Sequence, residues 1–325
     1  MPTLVTGATG FIGSELTRQL LQQGANVRIL HRATSRLDLL GEAAHHVEHA
    51  LGDVTDPPSL HKAMDGVDRV YHAAAYVGLG GRRDRAQLHQ VNVYGTACVV
   101  NAALEAGVER LVHTSSIAAL GRPEQPQGSI DETAEWRASP TNTAYAISKH
   151  EAELEVYRGI AEGLDAVLVN PSLVFGVGRP GENTRRIAER IRDGKIPATP
   201  TGGTCVVDVE DVAAGHLRAM RYGKTGERYL LGGDNLSWKT IFETLAEAFG
   251  VAPPRRMMPP GVAMTLATLA EAAAFVTRRP ASFTRKMARS TARVYTYDNR
   301  KAIEELGCAF RPFADTARRI AQAIG

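Results

Sequence analysis

The sequence predicts an α/β fold, in which a doubly wound parallel sheet is followed by a smaller C-terminal region. Two patterns lead to this prediction. Apolar runs with the length of buried strands alternate with amphipathic, helix-like runs through the first half of the chain. After Pro171 this alternation fades, and segments rich in glycine and proline appear. Such alternation is typical of parallel strands with helices covering both faces of the sheet.

The chain begins with a strand, a glycine-rich turn and a helix. Residues 4–6 end a short apolar strand, the turn reads Gly7-Ala8-Thr9-Gly10-Phe11-Ile12-Gly13, and residues 14–22 have a helical pattern. This is a spacing variant of the dinucleotide-binding fingerprint. Gly7 permits a tight turn, Gly10 lets the backbone approach a pyrophosphate, and Gly13 allows the helix to lie close to the strand. Because the helix N-terminus offers unpaired N–H groups to phosphates, we predict a Rossmann fold that binds a dinucleotide; a turn without a ligand is the alternative.

The residues after the second predicted strand, 26–30, indicate which dinucleotide binds. Sites for NAD usually have a carboxylate near this point, bonded to the ribose 2′-hydroxyl. Here the strand is followed by His31 and Arg32, with Arg36 close behind, and the first carboxylate is Asp38. Since a guanidinium can bind a 2′-phosphate through two hydrogen bonds, we predict a preference for NADP(H), with NAD(H) as the other candidate. The alternative is that Arg32 is a solvated surface charge.

The remaining strand-like runs divide the chain into two regions. Three buried strands are predicted at 67–72, 110–113 and 166–169, and one long helical run is predicted at 88–106. Two strands that return to the main sheet are predicted at 206–209 and 228–231. We therefore expect a dinucleotide-binding domain at 1–170 and, at 171–325, mainly a substrate-binding region, interleaved with returning strands at about 204–232.

A tyrosine and a lysine four residues apart form the candidate catalytic pair. Tyr145 and Lys149 lie in a run that continues as a helical pattern. Residues four apart lie on one face of a helix, so the phenol and the ammonium group should be neighbours. Because a nearby positive charge favours the phenolate, we expect Lys149 to lower the pKa of Tyr145 and make it an acid/base near neutrality. The spacing alone is weak evidence, and it gains weight beside the glycine turn.

The bulk composition excludes several classes of protein. Of the 325 residues, 44% are hydrophobic and 22% are charged, and the formal net charge is +3. No long basic run is present, so we expect no nucleic-acid partner. The three cysteines, Cys98, Cys205 and Cys308, lie far apart in the chain and fit a reducing compartment. With no secretory leader at residues 1–13, we expect a cytoplasmic protein.

Two segments suggest other functions, and we interpret both as structural. Residues 261–276 are apolar but contain Glu271, and a membrane-spanning helix needs about 20 apolar residues. We expect a helix over a substrate pocket and no integral membrane segment, with peripheral membrane contact as the alternative. The run His45-His46-Val47-Glu48-His49 matches a zinc pattern that requires a helix, but it precedes a predicted strand. Histidines four apart in a strand could not share one ion, so we predict no metal site.

The motifs together resemble those of the extended short-chain dehydrogenases/reductases. The chain is similar to the NAD(P)-dependent epimerase/dehydratases, the dihydroflavonol reductase-like ketone reductases and the hopanoid-associated sugar epimerase-like proteins of that family. The similar stretches follow the family's order and cover almost the whole chain. They are residues 7–13, 52–56, 72–75, 91–96, 114–116, 145–149, 170–176, 297–302 and 305–307.

The resemblance implies roles for four catalytic residues. Ser116 would hydrogen-bond the substrate oxygen, with Ser115 as the alternative, and Tyr145 would donate or accept the proton. Lys149 would lower the pKa of Tyr145 and hold the nicotinamide ribose, and Asn92 would support the relay behind Lys149. The candidate substrate contacts are Tyr76, Ser116 and Asn170.

The resemblance also implies a coenzyme site. Asp53 would bond the adenine amino group, with Val54 against the ring, and Pro171 and its neighbours would flank the nicotinamide. The full predicted set is Gly7, Thr9, Gly10, Phe11, Ile12, Gly13, His31, Arg32, Arg36, Asp53, Val54, Ala73, Ala74, Ala75, Thr114, Tyr145, Lys149, Pro171 and Ser172.

Three functions remain open at this point. The first is an NADP(H)-dependent oxidoreductase that reduces a ketone or aldehyde, or oxidises the alcohol. The second is a nucleotide-sugar epimerase or dehydratase that retains its NAD(P). The third, from another class, is a non-catalytic redox sensor that binds NADP. In the first two the partner is a small carbonyl, alcohol or sugar compound, and the resemblance is compatible with a homodimer.

Overall fold

The computed structural model describes residues 2–78, 82–122, 128–139, 142–182, 184–277 and 283–325. Within them lie twelve strands: β1 (Thr3–Thr6), β2 (Val27–His31), β3 (Glu48–Leu51), β4 (Arg69–His72), β5 (Arg110–Thr114), β6 (Ala166–Pro171), β7 (Leu173–Phe175), β8 (Thr199–Pro200), β9 (Gly203–Asp208), β10 (Arg228–Leu231), β11 (Asp234–Ser237) and β12 (Met257–Met258). Seven of them form a parallel sheet in the order β3-β2-β1-β4-β5-β6-β10.

Twelve α-helices lie in the same described residues. They are α1 (Phe11–Gln22), α2 (Pro57–Met64), α3 (Arg82–Leu88), α4 (Gly95–Glu105), α5 (Ala144–Ala161), α6 (Arg185–Arg192), α7 (Val209–Tyr222), α8 (Trp238–Ala248), α9 (Pro260–Thr277), α10 (Arg285–Thr291), α11 (Arg300–Leu306) and α12 (Phe313–Ile324). A π-helical turn, His89–Tyr94, joins α3 to α4, so the predicted long helical run at 88–106 is interrupted.

Helices cover both faces of the central sheet. Val5 lies in a fully buried cluster with Ile29 and with residues of α1 and α7. Its neighbour Leu4 lies in a second buried cluster with Val70 and with residues of α2 and α4. Successive strand residues point to opposite faces, so the two clusters lie on the two sides of the sheet. The predicted doubly wound parallel sheet is therefore confirmed.

A smaller layer follows Pro171. Strands β11, β9 and β7 form a three-stranded sheet in that order, and β12 pairs with β8. Helices α6, α8 and α12 pack on this sheet around Phe175, Val206 and Phe313. This is the smaller C-terminal region that the loss of regular alternation indicated.

One of the two predicted returning strands does not return to the central sheet. Residues 228–231 form β10 and pair with β6, as predicted. Residues 206–208 belong to β9, which pairs with β7 and β11 instead, and Val209 begins α7. An apolar run shows that a strand is buried but does not show which sheet buries it, because the partner is set by tertiary packing.

The histidine run at 45–49 and the apolar segment at 261–276 both lie in defined secondary structure. His45 and His46 lie in a short 3₁₀ helix, Gly41–His46, and only Glu48 and His49 enter β3. Among the described residues, no group of three or more His, Cys, Asp or Glu side chains could hold a metal ion. In the same residues no helix is both long and apolar enough to span a membrane, α9 included. Helix α9 packs against α10 through Ala263, Ala267 and Ala288.

Candidate active site

A cleft of about 300 Å³ opens at the carboxyl ends of β1, β2 and β4. Strands β2 and β4 lie on opposite sides of β1, so the order of strands reverses at this point. Ligands of open α/β sheets bind at such reversal points. The cleft is therefore the predicted place for a dinucleotide.

The glycine turn at the floor of the cleft leaves no room for side chains. Gly7 has a φ of 74°, and a Cβ there would lie 2.5 Å from the backbone nitrogen of Ala74. A Cβ at Gly13 would lie 2.1 Å from the carbonyl oxygen of Gly7. Gly10 is the N-cap of α1, and no side chain caps the helix, so its first N–H groups remain free for a ligand's phosphates.

The predicted coenzyme residues separate into two groups. Those that line the cleft are Gly7, Thr9, Gly10, His31, Arg32, Asp53, Val54, Ala73, Ala74 and Ala75. Three others have different surroundings. The Phe11 ring lies against Gly178, Ile12 packs into the core, and Arg36 forms an ion pair with Asp38 at 2.8 Å.

The end of β2 presents one unpaired cation to the cleft. Arg32 is exposed, and its guanidinium has no partner among the described residues. The nearest carboxylate in sequence, Asp38, is bound by Arg36 and by Arg179, whose Nη2 lies 2.7 Å from it. Hydrogen bonds from Arg179 hold the pKa of Asp38 below its usual value. No carboxylate among the described residues therefore lines this part of the cleft.

Asp53 lies across the cleft in a turn that its own side chain stabilises. One carboxylate oxygen accepts hydrogen bonds from the backbone N–H and the hydroxyl of Thr55, at 2.9 and 2.8 Å. The Ser59 hydroxyl accepts a hydrogen bond from the Asp53 N–H at 3.1 Å. The second carboxylate oxygen remains available to a ligand.

The structure brings Ser116, Tyr145 and Lys149 together at the carboxyl end of β5. Ser116 follows this strand, and Tyr145 and Lys149 lie on one face of α5, as predicted. The hydroxyl of Tyr145 lies close to Ser116, and hydrogen bonding between the two side chains lowers the pKa of Tyr145. Ser116 Oγ also accepts a hydrogen bond from the Ala118 N–H at 3.1 Å and so caps the following 3₁₀ turn. The Ser116 side chain therefore both caps this turn and contacts Tyr145.

Lys149 is held by the backbone of β5. Its side chain is 2% exposed, and its Nζ donates to the carbonyl oxygen of Thr114 at 2.6 Å. Burial lowers the pKa of Lys149 to about 8, and the charge of Glu153 opposes this shift. Glu153 lies one turn further along α5 and accepts a hydrogen bond from Asn170 Nδ2 at 2.7 Å.

The predicted shift of the Tyr145 pKa has the opposite direction in this structure. Burial raises the pKa of Tyr145, and the hydrogen bond with Ser116 opposes the rise only in part. Removing a phenolate from water destabilises it, and the Lys149 ammonium is directed at the Thr114 carbonyl instead. Spacing on a helix predicts which groups are neighbours but not how deeply they are buried.

Asn92 has a different set of partners from the predicted relay. It lies in the π-helical turn, is 1% exposed, and bonds both backbone groups of Tyr76: Oδ1 accepts from the N–H at 2.7 Å and Nδ2 donates to the carbonyl at 3.0 Å. Its Nδ2 also donates to the hydroxyl of Ser148 at 3.0 Å. No described hydrogen bond joins Asn92 to Lys149. Asn92 therefore fixes the loop at Tyr76 against α5.

A second cavity, of about 210 Å³, begins at Ser116 and continues into the C-terminal layer. We refer to it as the substrate cavity. Its lining combines aromatic and polar side chains and includes Ser172, Trp238, Thr291, Tyr295 and Tyr297. Helix α9 contributes none of the described lining residues, contrary to our expectation. It packs against α10, and α10 reaches the cavity through Ser290 and Thr291.

The remaining predicted residues flank these two cavities. Thr114 bonds His216 and Lys149, and Pro171 ends β6. Asn170 is fully buried and contacts Glu153, so it lies behind the substrate cavity and does not line it. Tyr76 lines the coenzyme cleft and donates a hydrogen bond to Asp84 at 3.0 Å.

Sequence reasoning missed several residues of the site. Ser35, Gln87 and Val91 also line the coenzyme cleft. Arg179, from the C-terminal half, donates to the Thr9 carbonyl at 2.9 Å and so binds the glycine turn. Arg122 lines the substrate cavity. Val91 begins the family-like stretch 91–96, but the other residues belong to no recognisable local motif, so only the fold brings them to the site.

Comparison with known proteins gives consistent results. The model of the NAD dependent epimerase/dehydratase family matches residues 3–232. A Synechocystis sp. protein named as a dihydroflavonol 4-reductase is 36% identical over 98% of this chain and 92% of its own length. Sterol demethylase protein B of Methylococcus capsulatus is 40% identical over 83% of this chain and 81% of its own. The crystal structure of gox2253 is 35% identical, covers 98% of this chain and 96% of its own, and has a TM-score of 0.85.

Proposed function

The chain belongs to the NAD dependent epimerase/dehydratase family of extended short-chain dehydrogenases/reductases, and we propose that it is an NADP(H)-dependent reductase of a ketone or aldehyde. Members of this family and the relatives of this chain are NAD(P)-dependent oxidoreductases and epimerases. The observation that carries the proposal is the contact of Tyr145 with Ser116, which lines the substrate cavity, with Lys149 buried on the same helix.

The coenzyme cleft fits a dinucleotide phosphate. The glycine turn forms a cradle that any Cβ at Gly7 or Gly13 would fill, and the free N–H groups of α1 face it. Arg32 is a cation without a described partner at the position where a 2′-phosphate would lie. Asp38, which could otherwise bond a 2′-hydroxyl, is occupied by Arg36 and Arg179. These features favour NADP(H) over NAD(H).

The coenzyme supplies the hydride, and the residues of this chain handle the oxygen and the proton. Ser116 orients the carbonyl oxygen by hydrogen bonding and stabilises the negative charge that develops there. Tyr145 donates its phenolic proton to that oxygen. Because burial raises the pKa of Tyr145, the residue rests in its protonated form, as a proton donor must. Lys149 stays close to the phenolate that is left behind, and Coulomb attraction in the buried site stabilises it.

Coenzyme binding and substrate binding are assigned to different parts of the chain. We propose that residues 1–170 bind the coenzyme and that residues 171–325 supply most of the substrate cavity. Ser172, Leu173, Thr204, Trp238 and Tyr297 line that cavity and support this division. All three cysteines are free and buried, which supports a reducing, cytoplasmic location.

The family also contains epimerases and dehydratases, so nucleotide-sugar turnover is the second candidate. Such an enzyme oxidises and then re-reduces its substrate, and it keeps its coenzyme during the cycle. Coenzyme that copurifies with the protein, together with interconversion of UDP-sugars, would favour this function. Stoichiometric NADPH consumption with a carbonyl compound would favour the reductase. Coenzyme binding without any turnover would favour the redox sensor.

The catalytic role is tested by Tyr145→Phe. We expect NADPH affinity to be retained and turnover to fall by a factor of about 10² to 10⁴, because the proton donor is lost. Tyr157→Phe, further along the same helix and in the lining of a different cavity, is the matched control. A Tyr145→Phe protein with wild-type turnover would exclude the proposed mechanism.

The coenzyme preference is tested by Arg32→Gln. We expect NADPH to bind roughly 10- to 100-fold more weakly, which corresponds to one or two charge-assisted hydrogen bonds, while NADH affinity stays unchanged. Arg69→Gln removes the same charge at the other end of the sheet, where β4 begins, and serves as the control. Equal weakening for the two coenzymes would refute the contact with a 2′-phosphate.

A further inference from the structure

The substrate cavity has a narrow, positively charged extension. This extension, of about 40 Å³, shares Ala118, Arg122, Ser290 and Tyr295 with the cavity that begins at Ser116. Its lining contains four cations and, among the described residues, no carboxylate. We refer to it as the cationic pocket, after its basic residues Arg122, Lys286, Arg289 and Arg293.

We propose that the cationic pocket is an anion subsite of the active site, which binds a carboxylate or phosphate group of the substrate at the end remote from its carbonyl. The inference rests on the proposed reductase function, and it adds the chemical class of the substrate. The proposal depends on the position of the four basic residues and on their lack of carboxylate partners among the described residues.

The four cations come from two distant parts of the chain. Arg122 follows β5 and the 3₁₀ turn at Ser116, and the other three lie on or just after α10. The Arg122 guanidinium carbon lies 5.4 Å from the centre of the Tyr295 ring, which both cavities share. Lys286 Nζ donates to the Asn142 carbonyl at 2.7 Å. Arg122 and Lys286 are therefore fixed at the pocket by tertiary contacts.

The basic groups have unused hydrogen-bonding capacity. The Nε of Arg122 is buried and has no hydrogen-bond partner. Arg289 has no ion-pair partner among the described residues, and Arg293 Nη1 makes one long contact of 3.4 Å with the Tyr295 hydroxyl. On the same helix, by contrast, Arg285 is paired with Glu271 at 2.6 Å. Arg122 also contacts the phenol of Tyr297, so its capacity is used only in part. Guanidinium groups that line one cavity and have no carboxylate partner among the described residues are suited to bind carboxylate or phosphate in bidentate geometry.

Repulsion among the four basic groups also favours the binding of an anion. Four like charges around a narrow cavity repel one another, and a cleft lined by one sign of charge raises the local concentration of the opposite ion. Burial, and next the charge of Arg85, lowers the pKa of Lys286. A bound anion would offset both effects.

The arrangement also sets the orientation of the substrate. Ser116 lines the substrate cavity and contacts Tyr145, so the proposed reaction places the carbonyl oxygen there, whereas Arg122 lines both this cavity and the cationic pocket. A substrate with a carbonyl at one end and an anionic group at the other could contact both ends at once. A neutral compound would leave the basic groups unpaired.

Binding and turnover of matched compounds test the proposal separately. Calorimetry on the NADPH-loaded protein compares benzoate and phenyl phosphate with neutral benzamide. NADPH oxidation compares 4-formylbenzoate with its methyl ester. Both measurements are repeated with the Arg289→Gln and Arg122→Gln variants. The control is Arg256→Gln, because Arg256 is exposed and lies outside both cavities. Arg289 is exposed, so its replacement should leave folding intact even if that of Arg122 does not.

We expect the anions to bind at least about tenfold more tightly than benzamide and to lose about tenfold in affinity in Arg289→Gln, as for one charge-assisted hydrogen bond. The preference for 4-formylbenzoate over its ester should fall by the same factor, and Arg256→Gln should change neither. Equal binding of benzoate, phenyl phosphate and benzamide would overturn the proposal, as would anion binding that Arg289→Gln leaves unchanged. Anion binding sensitive to Arg289→Gln without turnover would support the subsite and count against the reductase function instead.

Discussion

Replacing His113 should make the protein more resistant to acid. His113 lies on β5, is 1% exposed, and neither of its ring nitrogens has a hydrogen-bond partner. Its ring centre lies 5.2 Å from that of His72. Burial, followed by the charges of Lys149, His72 and His216, lowers the pKa of His113 well below 6.5. The folded protein therefore keeps this ring neutral under conditions in which the unfolded chain protonates it.

The size of the effect follows from proton linkage. As the pH falls through about 6.5, the unfolded chain takes up a proton at this residue and the folded protein does not, so stability is lost. Between about pH 7.5 and about pH 5.5, one such histidine reduces the free energy of unfolding by about 1.4 kcal/mol. The His113→Phe variant does not lose this part of the free energy of unfolding on acidification. It also lacks two unpaired buried nitrogens, each of which costs about 1–3 kcal/mol, so it should be at least as stable as the wild type at the higher pH.

Urea unfolding followed by circular dichroism at the two pH values measures this difference. We expect the wild type to lose about 1.4 kcal/mol more than His113→Phe on acidification. His46→Phe, at an exposed position, is the control for the loss of a histidine. If wild type and His113→Phe lost equal stability between the two pH values, the assignment of a neutral, buried His113 would be wrong.

Three further substitutions test the supports of the site. Gly13→Ala would place a Cβ 2.1 Å from the Gly7 carbonyl oxygen, so we expect a loss of about 1–3 kcal/mol in stability and weaker NADPH binding, measured by urea unfolding and NADPH titration. Asn92→Ala should cost about 2 kcal/mol or more in urea unfolding, because both backbone groups of Tyr76 lose their partner; wild-type stability would contradict this. Thr143→Ala removes the N-cap of α5 and should cost about 1 kcal/mol in the same assay, whereas Thr143→Ser should retain most of it.

The parts of the fold that depend on local patterns could be predicted from the sequence. The turn at Gly7 and the helix after it follow from a strand, three spaced glycines and a helical run, and each signal is local. The common face of Tyr145 and Lys149 follows from helical spacing alone. The partner sheet of Val206 does not, because it depends on packing against α8 and α12, which come later in the chain.

The environment of the site residues could not be predicted in the same way. A neighbouring cation lowers the pKa of a tyrosine and burial raises it, so the net shift depends on burial, which is set by the whole fold. Arg179 reaches the glycine turn across 170 residues of sequence, and Lys286 reaches Asn142 across 144. Pairs so distant in the chain leave no periodic signal in a single sequence.

Burial of the proposed catalytic pair, Tyr145 and Lys149, bears on the proposed direction of the reaction. The pKa of Lys149 is lowered to about 8 and that of Tyr145 is raised, so at neutral pH the lysine is mostly charged and the tyrosine is protonated. This resting state holds a proton ready for donation to a carbonyl oxygen, which suits reduction. The same burial destabilises the phenolate formed after donation, and the charge of Lys149 on the same helix face would offset part of this cost. Desolvation therefore keeps the proton on Tyr145 before the reaction, whereas stabilisation of the phenolate falls to the neighbouring cation and to the hydrogen bond with Ser116.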